Sequence, residues 1–355
     1  MTCPVSHTDR AGQTALAAAG RTYDPALPPW HHSQPHHELA ADVRWWVGMP
    51  LAFGLFGRLA LDQVAYREVA AAVDATGRFE ENFTNRGVRS YLWGPLMLFG
   101  DDADRTATAT RLKDLHGQVR GKGRGAFEGE RYSALNPALW KWVGTSSMLV
   151  FYTGYVTTYA NRLDDEQREV VYRTILWMSD FELPSDAAAI PATVAEMREY
   201  YETVAATELA DNPFLRWANQ SFDALPVLTL VGPRWLHRAI TPLWRAAMPV
   251  LTRPARVLAE IAAHPRMREL LGVRLTPGRR LEAKVYLALL RGARRVLPSV
   301  LLLDPLAQNR KRYEKLRAAY AAPQLTSFAP PAAPAEQLGP PGQPEQEARP
   351  AQPVG

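Results

Sequence analysis

A chain of 355 residues, 47% hydrophobic and 22% charged, is long enough to bury a large core in one or two domains. Its single cysteine, Cys3, excludes an intrachain disulfide and a cysteine-built metal cluster, and fits a reducing, cytoplasmic setting. A net charge of +5 spread along the chain, with a pI of about 9.3, fits a basic enzyme and leaves peripheral membrane contact open, while no nucleic-acid motif accompanies it.

Alternating runs of Val, Ile and Thr are scarce, whereas Ala, Leu, Arg and Glu recur at spacings of three and four, which predicts an all-α fold. Residues 1–37 are rich in Pro, Gly and His, begin without an apolar signal-peptide run, and read as a flexible arm. Prolines interrupt His31, His32, His36 and His37, so no single helix face gathers them into a metal site. One helical domain follows over 38–321. Its first part, to about Ala75, is apolar and broken by Gly48, Pro50, Gly54 and Gly57. A helix then starts near Asn85 and closes at Gly100, where glycine suits the left-handed turn past a helix end. Asp101 or Asp102 caps the next helix, RLKDLHGQVRG, which ends around Gly121. Pro137 suits the first turn of a long helix that carries no charge from Val143 to Asn161. The hydroxyls of Thr145, Ser146, Ser147 and Thr153 make that stretch a buried central helix rather than a membrane span. TVAE at 193–196 is a capping box. Further helices, punctuated by prolines, run from 213 to 321, and the Pro/Ala-rich 322–355 reads as a disordered tail.

The sequence contains no GxSxG, P-loop, HExxH or dinucleotide-binding glycine motif. A di-iron bundle needs two Glu-x-x-His pairs; Glu260 and His264 are one residue too far apart. Three polar groups in apolar surroundings remain. His116 shares a helical stripe with Leu112, Leu115 and Val119, either as a core histidine with one partner or as a ligand. Arg86 and Arg89 fall near a helix start, the wrong end for a cation, which points to an anionic partner such as Glu80 or Glu81, or a ligand carboxylate. Thr145 and Ser146 bond back to their own helix or line a pocket. A haem b site would use such groups: an axial imidazole, cations for its propionates and a hydroxyl on the other side.

Five stretches carry a further signal in their order: DQVAYREVAAAVDATGRF, NRGVRSYLWGPLMLFGDDADRTATATRLKDLHGQVRG, RYSALNPALWKWVGTSSM, LDDEQREVVYR and IPATVAEMREY. Together they resemble the oxygenase MpaB / rubber oxygenase (latex clearing protein) catalytic domain family, from about residue 40 to 300. The resemblance implies a globin-like helical core holding haem b, and O2-dependent oxidation of an apolar, isoprenoid- or polyketide-like substrate, including C=C cleavage. The family's iron-ligating histidine falls on His116, and its R-x-x-x-T element falls on Arg86 and Ser90, where serine keeps the hydroxyl. Arg89, Thr145 and Ser146 are further candidates for contacts to the cofactor. Gly144 stands where many relatives carry histidine in W-V-H-A, and Tyr66 replaces a frequent proline. The alternatives are haem-dependent hydroxylation or dehydrogenation of a small natural product, and a non-catalytic helical haem- or lipid-binding protein.

Overall fold

The computed structural model describes residues 23–76, 79–159, 163–179, 185–230 and 232–324, without the side chains of 79–82. The elements are α1 (His37–Val47), α2 (Pro50–Phe56), a 3-10 turn (Gly57–Ala60), α3 (Leu61–Ala65), α4 (Arg67–Ala75), α5 (Phe79–Phe99), α6 (Asp102–Gly117), β1 (Arg120–Lys122), β2 (Arg131–Ser133), α7 (Pro137–Tyr159), α8 (Asp165–Met178), α9 (Val194–Thr207), α10 (Pro213–Asp223), α11 (Arg234–Leu251), α12 (Arg253–Ala262), α13 (Pro265–Leu270), α14 (Pro277–Val296), α15 (Ser299–Leu302) and α16 (Pro305–Ala321). The fold is all-α. The flexibility expected of residues 1–22 and 325–355 lies outside the described residues. Residues 23–36, the rest of the expected arm, form turns in which buried Gln34 donates to the Asp24 and Leu27 carbonyls. The chain divides into two compact units after Lys311; the second is described to residue 324 and is helical to Ala321.

Local chemistry explains several boundaries. Asp101 caps α6 by accepting from the Asp104 amide at 2.8 Å, and Asp104 reaches back to the Asp101 amide. Thr193 and Glu196 form the expected capping box at α9. Two boundaries differ from expectation. Helix α6 ends at Gly117, short of Gly121, because the chain turns into a ribbon in which Arg120 pairs with Ser133 and Lys122 with Arg131. Helix α5 begins earlier than Asn85, at Phe79. Asn85 is not a cap: its amide exchanges hydrogen bonds with Thr229, accepting from the Thr229 amide at 2.9 Å. Tyr66 interrupts the chain between α3 and α4 at φ −75°, a value that also suits proline.

Helix α7 is the central element of the first unit's core. It buries Trp142, Thr145, Tyr155 and Thr158 together with Trp140, Met148 and Tyr152, so most of its faces are covered. Trp142 enters one core cluster with Leu61, Ala65, Tyr201 and Leu215, while Tyr155 enters another with Trp46, Phe56, Tyr172 and Leu258. The phenols of Tyr155 and Tyr159 donate to Asp42 Oδ2 at 2.8 and 2.6 Å, and Arg294 donates to Oδ1 at 2.7 Å. Burial by itself would raise the Asp42 carboxyl, but Arg294 and the two phenols outweigh it and hold Asp42 below the usual carboxylate range. One carboxylate thereby joins α1, α7 and α14. Among the described residues, no helix is long and apolar enough to cross a membrane.

Gly154 lets Trp46 and Phe56 close onto α7: a Cβ there would lie 2.8 Å from the Trp46 ring and 2.9 Å from the Phe56 ring. Neither ring is the end of a flexible chain, so Gly154→Ala overpacks the core and is expected to cost about 1–3 kcal/mol, read as a lower denaturation midpoint. An unchanged midpoint would show that the two rings move aside freely.

Candidate functional site

The C-terminal turn of α6 carries His116, and α6 packs along α5. The imidazole is half-buried, and the Trp140 ring from the first turn of α7 meets it edge-on, with centroids 5.4 Å apart and planes at 78°. Its Nδ1 is buried and makes no hydrogen bond. Burial lowers the pKa of the ring, the Arg86 charge lowers it further, and the Leu112 carbonyl one turn back acts in the opposite sense without bonding Nδ1. The net result is a ring pushed toward its neutral form.

Arg86 comes from α5, and its charge reaches the imidazole. It is itself half-buried, and that burial lowers its pKa from the ordinary guanidinium value. Because α5 starts at Phe79, Arg86 lies about two turns into the helix. The unfavourable interaction with the helix dipole, which is confined to the first turn, therefore does not apply. The side chains of Glu80 and Glu81, the expected partners, lie outside the described residues. Arg89 and Ser90 are exposed on α5. Arg89, Leu92 and Leu96 form one outward strip at helical spacing, with Leu92 54% exposed, and Leu115 is exposed on α6 beside His116. Apolar surface is thus left uncovered on both helices that carry the two central groups.

Thr145 and Ser146 are fully buried. Ser146 bonds back to the Val143 carbonyl at 3.1 Å, as the simplest reading expects. Thr145 differs, because its Oγ1 is buried without a partner. Five residues beyond Trp140, it sits about 7.5 Å further along α7 and roughly 140° around it. The structure therefore joins His116, Arg86 and Trp140, and places Thr145 and Ser146 on other faces. Gly144 has a steric reason: a Cβ there would lie 2.9 Å from Ile190 Cδ1, so Ile190 occupies the space a histidine would need.

The more conspicuous histidines have other partners. His31 bonds Ser33 at 2.8 Å and His36 meets Glu166 at 3.2 Å. Glu260 pairs with Arg256 and Arg279, while His264 pairs with Glu202. Among the described residues, no group of three metal-ligating side chains occurs. A cavity of about 190 Å³ lies elsewhere, with buried Asp62 and Tyr201 in its lining. Sequence reasoning missed both Trp140 as the wall beside His116 and the Asp62 cavity. Only the tryptophan had a signal, the W-K-W just before the charge-free stretch of the long helix.

The half-buried His116 imidazole, within electrostatic reach of the Arg86 cation, thus sits in an all-helical domain. The chain matches the family described as ER-bound oxygenase mpaB/B'/Rubber oxygenase, catalytic domain, over residues 43–295, and it belongs to that family. No curated protein and no solved structure matches it.

In cofactor-free protein, His116 is expected to titrate below 6.5, and Arg86→Gln should raise its midpoint, both read from imidazole NMR shifts. The sign follows from burial: the unfolded ring takes up its proton at higher pH than the folded one. The stability contributed by the neutral ring is present above about 6.5 and is lost as pH falls toward the folded midpoint. A midpoint at or above 6.5, unmoved by Arg86→Gln, would contradict this.

Proposed function

We propose that the protein is a haem b oxygenase with His116 as the axial ligand, acting on an apolar isoprenoid- or polyketide-like substrate with O2. The observation that carries this reading is the buried, unpartnered Nδ1 of a neutral His116 next to Arg86. A buried nitrogen without a partner costs stability in a finished core, and here it lies on an imidazole that an iron porphyrin would use. The residues fit the group: one neutral imidazole, one half-buried guanidinium and uncovered leucines on the two supporting helices.

When bound, haem would supply the activation of O2 that no side chain here can provide. The chain's own residues would do the rest. His116 would offer a ring nitrogen to iron, and Arg86 would deliver positive charge to a propionate or to developing negative charge. Trp140 would fix the plane of the imidazole. Arg89 would add a second cation at the surface, and Ser90, one turn from Arg86, a hydroxyl. Thr145 would offer a hydroxyl inside the core, and Ser146, already bonded to its own helix, would contribute less. The apolar surroundings would select substrate by shape and hydrophobicity, with oxidation of a C=C bond, including its cleavage, as the reaction. A cytoplasmic setting, inferred from the single cysteine, belongs to the same proposal.

Purified from haem-replete cells, wild-type protein should show a Soret band with about one iron per chain, and His116→Ala should lose it. Arg86→Leu should keep a fraction of the haem and consume O2 with an apolar alkene at least about tenfold more slowly. Colourless, iron-free wild-type protein, or a Soret band unchanged in His116→Ala, would overturn the reading. Haem binding without O2 consumption would favour a carrier.

A further inference from the structure

The cavity of about 190 Å³ opens among the 3-10 turn at Gly57–Ala60, α3, α7, α12 and α13. Neither His116, Arg86 nor Trp140 lines it, so it stands independently of the haem reading. Its most buried charged group is Asp62, 3% exposed. The Tyr201 phenol donates to Asp62 Oδ2 at 3.1 Å, while Oδ1 is buried with no hydrogen-bond partner. Burial raises the Asp62 carboxyl to about 7, with the Tyr201 hydrogen bond and the Gln63 amide acting in the opposite direction. In its ionised form this carboxyl lacks one donor, at Oδ1.

The other polar groups are largely occupied. Arg58 donates to Asp223 and Asn219. Arg256 pairs with Asp223 and Glu260, and Arg279 pairs with Glu260. His264 uses one ring nitrogen on Glu202 and the other on the Arg266 amide. Arg268 donates to the Ala263 carbonyl. Arg274 is exposed and has no carboxylate partner among the described residues. What remains open is one buried carboxyl oxygen and one exposed guanidinium, in a lining that also includes Leu61, Leu149, Val150, Met267 and Leu271. With the other lining arginines paired or bonded, Arg274 is the cation left open, which disfavours an amine and favours an acid. A cavity of about 150 Å³ holds benzene, so this one holds a single substituted ring.

We propose that this cavity is a second small-molecule site, for a hydroxyaryl carboxylate whose hydroxyl donates to Asp62 Oδ1 and whose carboxylate meets Arg274. The ring packs against the leucines, and the para arrangement separates donor from acid. No covalent step is involved.

Isothermal titration of the full chain with 4-hydroxyphenylacetate tests this, with phenylacetate and tyramine as comparison probes. Saturable binding is expected, at least tenfold weaker for phenylacetate, which lacks the donor, and absent for tyramine, which lacks the acid. Arg274→Gln, at an exposed position that leaves the core intact, should weaken 4-hydroxyphenylacetate at least tenfold, whereas His116→Ala should leave it unchanged. No saturable binding, equal affinity for phenylacetate, or no effect of Arg274→Gln would overturn the proposal. So would loss of binding in His116→Ala, which would place the ligand at the haem site. Because His116→Ala also tests the haem reading by its spectrum, the two can fail separately.

Discussion

A helix that carries no charge from Val143 to its end at Tyr159 cannot be left against water along that stretch, and covering it determines where the other helices go. Trp142 draws α3, α9 and α10 to one side of it, and Tyr155 draws α1, α2 and α8 to another. The Asp42 carboxylate then converts nonspecific burial into a fixed arrangement, because two phenols from α7 and a guanidinium from α14 converge on one group of α1. Hydrophobic contact alone would tolerate sliding; three charge-assisted hydrogen bonds on one acceptor do not. The first turn of the same helix supplies Trp140 to His116, so the candidate site is built onto this buried helix.

His116 shows how position changes a side chain's chemistry. At the end of a helix, the dipole favours a protonated imidazole. Burial and Arg86 both oppose that, and together they win. Arg86 pays part of the same cost, since its own burial makes its charge harder to hold. Burial and proximity thus make both charged forms harder to hold, the kind of perturbed pair that clusters at functional sites.

Much of this was legible in the sequence where the signal is local. The caps at Asp101 and Thr193 depend on residues three apart, and Pro137 marks the start of α7 by its own chemistry. The β1–β2 ribbon was not legible, because strands of three residues carry no periodicity. The α5 start was misread because Asn85, a good capping residue, is used by Thr229, far away in the chain. Within the site, the pairing of Arg86 with His116 followed from the family resemblance and two successive helices. The outward placement of Arg89 and Ser90 depends on how α5 rolls against its neighbours, which no local pattern encodes. Gly144 could be noticed but not explained until Ile190 was seen filling its space. Asp62 is an ordinary acid in a first helical turn until Tyr201, His264 and Arg274 gather around the same cavity.

The central claim is that the His116 imidazole itself, rather than the shape of the surrounding helices, holds iron. The most direct measurement is titration of His116→Gly protein with haem, with and without added imidazole, followed by absorption. Free imidazole is expected to enter the space left by the side chain and restore the Soret maximum and ligation state of the wild type. Haem binding to His116→Gly with a wild-type spectrum in the absence of imidazole would contradict the account.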